Sequence, residues 1–115
     1  MTQHAELTLE RWARFGLEKQ VLQIAIELER GRSSLRMDRL DSLRLCYERV
    51  LRLVDLTVQA NSGRSLRREL LRWRDLIAEL YLAPGPDADA HRAATRLLLQ
   101  LHSGAAALIP DLEPG

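Results

Sequence analysis

The sequence predicts an all-α protein, an up-and-down bundle of about four amphipathic helices in one domain spanning residues 1–115, with loose ends near residues 1–7 and 110–115. Three observations carry this. Apolar residues recur at spacings of three and four, the repeat that gathers side chains on one face of an α-helix. Leu supplies 24 of the 115 residues and aromatics only 4%, and a core of Leu and Ala favours helix over strand. Gly, Pro and Asn cluster between the periodic segments, where turns belong. A chain this long buries about 65% of its unfolded surface, so one core holds it without disulfides or metal.

The elements follow in order. Thr8 is placed to cap a short helical stretch carrying Trp12 and Phe15. Gly16 either caps a new helix or is tolerated inside a longer one. Leu17, Val21, Ile24, Ala25 and Leu28 then form the first full stripe, and Gly31 is expected to end it in the left-handed conformation. Ser33 or Ser34 is the expected cap of a second helix, reaching from about Leu35 to Gln59. Its stripe is Leu40, Leu43, Tyr47, Val50 and Val54, widened by Cys46, Leu53 and Leu56. Asn61-Ser62-Gly63 reads as a turn. The third helix carries Leu66, Leu70, Trp73, Ile77 and Leu80, and Ala83-Pro84-Gly85-Pro86 stops it. Asp87 or Asp89 caps the fourth, whose stripe is Ala90, Ala94, Leu97, Leu98, Leu101, Ala105 and Leu108, with Gly104 a candidate break. Short connections between long helices imply antiparallel neighbours.

A net charge of +1 excludes a polycation or an acidic tail. Nucleic-acid affinity would need a local patch. Sixteen of the seventeen basic residues are Arg, which reads either as codon usage or as selection for bidentate recognition of phosphate or carboxylate. Cys46 is the single cysteine, so no internal disulfide forms, which fits a reducing cytoplasm; among Leu and Val it reads as a small buried hydrophobe. Neither a membrane span nor a signal peptide is expected.

Two features stand out as candidate sites. Arg64, Arg67, Arg68, Arg72 and Arg74 open the third helix, and Arg64, Arg68 and Arg72 form a row at i, i+4, i+8 that suits phosphates or an acidic partner. The competing reading is a solvated face balanced by Glu69, Asp75 and Glu79, with help from Glu48 and Asp55. The second feature is surplus apolar surface. Leu97, Leu98 and Leu99 sweep about 200° of the fourth helix, where one core stripe needs little over 100°. With Leu51, Leu53 and Leu56 of the second helix they form an expected partner interface, most simply in a homodimer; the competing reading is an all-round-buried helix. Trp12 and Trp73 read as core anchors. No metal site or cofactor is expected: His4, His91 and His102 lack a Glu three residues before them, and Cys46 has no companion ligands.

Two resemblances add to this. Arg96 followed six residues later by His102 is similar to the signature of HEPN-type ribonucleases, small helical proteins that dimerise around an RNA-cleaving site. On one straight helix these two side chains stand about 120° apart, which does not aim both at one phosphate. Leu17–Ile24, Tyr47–Thr57 and Leu66–Arg72 are similar to stretches in a group of small bacterial helical proteins of uncharacterised function, over roughly residues 12 to 82. That group carries Ser where this chain has Gly16. The likeness implies a helical bundle and no activity. The sequence therefore points first to a non-enzymatic interaction or assembly module, with nucleic-acid binding through the Arg row and a ribonuclease as alternatives.

Overall fold

The computed structural model describes the backbone of residues 7–107 and the side chains of residues 7–101. It is all-helical over these residues: α1 (Leu9–Ala13), α2 (Leu17–Arg30), α3 (Arg32–Arg36), α4 (Leu40–Ala60), α5 (Arg64–Leu82) and α6 (Ala88–Ala107). The four long helices, α2, α4, α5 and α6, form a ring in which each packs on two others. Named contacts fix the directions. The C-terminal turn of α2 meets the start of α4 through Cys46 Sγ, which donates to the Glu27 carbonyl at 3.3 Å. The start of α2 meets the end of α4 through Asn61 Nδ2, which donates to Gln20 Oε1 at 2.9 Å. Arg74 of α5 grips Asp55 of α4, and Arg44 of α4 donates to the Tyr81 and Ala83 carbonyls at the other end of α5. His91 of α6 reaches the Leu28 carbonyl of α2. All neighbours are antiparallel, so the up-and-down expectation holds.

The core is drawn from the predicted stripes, with Leu97 of the fourth stripe left 45% exposed. Val21, Ile24 and Leu28, then Leu43, Tyr47, Val50 and Val54, then Leu70, Trp73 and Ile77, and finally Ala94 and Leu98 are all buried. Removing a large aliphatic side chain from water contributes roughly 1.5–3 kcal/mol, which far exceeds the few tenths contributed by the exposed i,i+3 and i,i+4 ion pairs of the surface.

Several local expectations are corrected. Gly31 ends α2 in the right-handed region (φ −70°, ψ −14°). It is a glycine for steric reasons: a Cβ there would stand 2.8 Å from Cys46 Sγ and 3.3 Å from the Leu28 carbonyl. The left-handed residue is Asp38 (φ 54°). Arg39 N–H donates to the Ser34 carbonyl and Asp38 N–H to the Leu35 carbonyl, the 6→1 and 5→2 pair of a Schellman cap on α3. Ser33 and Ser34 consequently lie inside α3, and α4 begins at Leu40 rather than Leu35. Thr8 caps α1, accepting from Arg11 N–H, and Asp87 caps α6, accepting from Ala90 N–H. Gly16 is the N-cap of α2, and Gly104 does not interrupt α6. Leu7, expected in a loose lead-in, packs on the core, and its carbonyl accepts from Arg52 at 2.9 Å. His4, Leu108 and the ends at 1–6 and 108–115 lie outside the described residues.

No helix of the described residues is long and apolar enough to cross a membrane.

Candidate assembly surface

The polar groups inside the bundle are sealed. Trp12 Nε1–H donates to Thr57 Oγ1 at 2.9 Å, and Thr57 in turn donates to the Leu53 carbonyl. Gln20 is buried and donates to the Trp12 and Phe15 carbonyls, closing the end of α1. Glu27 is 4% exposed, and its carboxylate accepts from Arg49 at 3.1 Å and Arg30 at 3.2 Å. His91 is 3% exposed and Tyr47 0%. The Leu28 carbonyl can only accept, so His91 Nε2 carries the proton at 3.0 Å from it. Nδ1 then accepts from the Tyr47 hydroxyl at 2.8 Å. Burial holds the His91 pKa below the usual histidine value, opposed by its bond to Leu28 and by Glu29, while Arg32 adds to the lowering. Burial likewise pushes the Cys46 thiol up to about 11, so it is a thiol rather than a thiolate near neutral pH.

These groups hold the fold together. Thr57, Cys46 and the His91–Tyr47 pair are buried against carbonyls of the chain itself, and every buried side-chain polar atom described has a partner. Among the described residues no three His, Cys, Asp or Glu side chains converge as a metal site would require.

The five arginines of the expected anion site are divided. Arg74 is bidentate on Asp55, with Nε–Oδ1 at 2.6 Å and Nη2–Oδ2 at 3.3 Å. Arg67 Nε donates to the Val58 carbonyl at 3.0 Å. Both turn toward α4 as bundle contacts, so they are withdrawn from the row. Arg64, Arg68 and Arg72 face solvent, Arg72 with an exposed ion pair to Glu69 at 3.2 Å.

The six leucines of the expected partner interface also divide. Leu53 and Leu98 are 1% and 0% exposed. They belong to the interior, which corrects their placement on a surface. A wide apolar arc reads the same whether a helix is sunk into its own bundle or faces a partner. Leu51 and Leu56 are half-buried and line an open trough of about 680 Å³ beside Leu7 and Tyr81, interrupted by the charged Glu48, Arg52 and Asp55. Leu97 and Leu99 are exposed at 45% and 43%.

Leu97 sits on an apolar groove of the surface. Between α5 and α6 runs a groove of about 240 Å³ lined by Leu76, Leu80, Ala90, Ala93, Ala94 and Leu97, with Glu79 and Asp87 at its loop end. The small side chains of α6 leave the two helices incompletely covered there. Leu76 and Ala93 belong to none of the stripes the sequence predicts, whereas Ala90 is expected in the core stripe of the fourth helix and Glu79 among the acids balancing the arginines. A signal existed: Arg72, Leu76, Glu79 and Ala83 recur at i, i+4, i+7 and i+11, a second stripe about 100° from the core stripe of α5. Of the pair in the ribonuclease likeness, Arg96 is exposed on α6 and the side chain of His102 lies outside the described residues.

Compared with known proteins, the chain matches no family model, no curated protein and no solved structure.

Proposed function

We propose that this chain is a non-enzymatic helical module that works by laying its α5–α6 face against another polypeptide. The observation that supports this is the groove itself. Leu76, Ala90, Ala93 and Leu97 form an apolar strip along one groove at the surface of the bundle. Scattered surface leucines need no explanation, but contiguous apolar strips with polar rims mark interaction sites. The polar groups that could do chemistry are occupied in holding helices together.

Sedimentation equilibrium of the purified chain at high micromolar concentration tests this. The expected mass is a multiple of the 13.1 kDa single chain. A species of 13.1 kDa throughout the concentration range would contradict the reading.

A further inference from the structure

We infer that the partner is a second copy of this chain, seated antiparallel on the α5–α6 face about a two-fold axis passing near Leu76 and Ala93. The inference rests on the assembly reading and adds the occupant and its orientation. It is carried by charge. Along α5, Arg68, Arg72, Leu76, Glu79 and Ala83 follow one another at spacings of four, four, three and four, so they form one stripe running from basic through apolar to acidic. Glu79 and Ala83 line the groove, as does Leu76. On α6, Asp89 precedes Arg96 by seven residues, two turns, on the flank outside Ala93 and Leu97. Because α5 and α6 are antiparallel and joined by residues 83–87, Glu79 and Asp89 lie toward the loop end and Arg68, Arg72 and Arg96 toward the far end, with Glu69 offsetting part of the basic end and Arg92, 3.8 Å from Asp89, part of the acidic end.

Such a face is complementary to itself in one orientation. Turned by a two-fold axis across the groove, the Glu79 end of each copy meets the Arg72 end of the other, and Asp89 likewise meets Arg96. In the parallel orientation like charges meet, which disfavours it. The levels agree. Arg72 and Glu79 are seven residues apart, about 10 Å along the axis, with their midpoint beside Leu76. Asp89 and Arg96 have theirs beside Ala93, and Leu76 and Ala93 lie seven and six residues from the two ends of the connection. An isologous contact of this kind closes on itself as a dimer. The apolar strip would supply the affinity and the rim charges the orientation. Arg72 is available for exchange, since its intrachain pair with Glu69 is exposed and contributes little.

The test is a charge swap on the full chain, read by sedimentation equilibrium at low and moderate salt. Arg72→Glu alone and Glu79→Arg alone are each expected to weaken self-association by about tenfold or more, through like charges at both ends of the contact. An equimolar mixture of the two variants is expected to form a heterodimer at least as tight as the wild-type dimer, since each contact again pairs opposite charges. Both positions are exposed, and helical far-ultraviolet spectra separate loss of pairing from loss of fold. A wild-type dimer that neither variant weakens, or variants that weaken without rescue on mixing, overturns the antiparallel charge pairing while sparing the assembly reading. A monomeric wild type overturns both.

Discussion

Trp73→Ala is expected to lower the unfolding free energy by about 4 kcal/mol, within the 3–5 kcal/mol that truncating a buried tryptophan costs. Trp73 is 3% exposed and is the largest side chain that α5 contributes to the core. Its indole N–H donates to the Ala94 carbonyl of α6 at 2.7 Å, so the substitution removes both a large part of the packing between α5 and α6 and a side-chain bond that joins them. Against a total stability of about 5–15 kcal/mol, this is enough to unfold a large fraction of the chain at moderate temperature. Trp73→Phe keeps an aromatic ring and loses the donor, and is expected to cost about 1–2 kcal/mol. Urea unfolding followed by helical signal distinguishes the two. Equal, small effects would mean that α5 does not lean on α6 as described.

His91→Ala is expected to cost about 3 kcal/mol, the sum of a cavity and of the Tyr47 hydroxyl left buried without an acceptor. The ring ties three helices, donating to Leu28 of α2 and accepting from Tyr47 of α4. The same residue sets an acid limit. In the unfolded chain a histidine takes up its proton as pH falls through about 6.5. In the folded chain burial delays that uptake to lower pH. The unfolded state therefore binds more protons in this window, and stability, full above the unfolded value, is lost as pH falls from it toward the folded value. Urea midpoints at about pH 7 and about pH 5.5 are expected to differ in the wild type, and the difference to shrink in His91→Gln. An unchanged difference would remove His91 as its source.

The bundle was legible because its signals are periodic and redundant. The stripe Leu70, Trp73, Ile77 is buried as its spacing requires, and Thr8 and Asp87 cap helices because a short acceptor in front of a helix has little else to bind. What escaped was the part decided by neighbouring helices. Gly31 looks like a left-handed cap in isolation; only the approach of Cys46 from α4 shows why a Cβ is excluded. Gln20, Glu27, Thr57 and His91 look like surface residues on a polar flank, yet each is buried by partners 19 or more residues away in sequence or by a neighbouring helix end. Asp38 took the left-handed position because aspartate tolerates it and its own amide and that of Arg39 can close the cap.

The candidate site was legible in outline only. Surplus leucine on the second and fourth long helices correctly announced more apolar surface than one stripe needs. Breadth of arc could not say which leucines were sunk in the core, and Leu53 and Leu98 were. The Arg row was a composite of two populations. Arg67 and Arg74 turn toward α4, whereas Arg68 and Arg72 continue the stripe that borders the α5–α6 groove. Their meaning changes once the stripe is followed past Leu76 to Glu79: an isolated basic row suggests a polyanion, while a row ending in acid suggests its own mirror.

Disulfide trapping at the proposed axis addresses the pairing of two chains most directly. Ala93→Cys places a thiol where two copies approach each other, and Cys46, being buried, does not compete. Two such residues close a bond only when their Cα atoms come within about 4.4–6.8 Å. Mild oxidation is expected to convert Ala93→Cys rapidly to a covalent dimer, with Leu22→Cys on the exposed side of α2 remaining reduced under the same conditions. Equal rates at the two positions, or no dimer from Ala93→Cys, would contradict it.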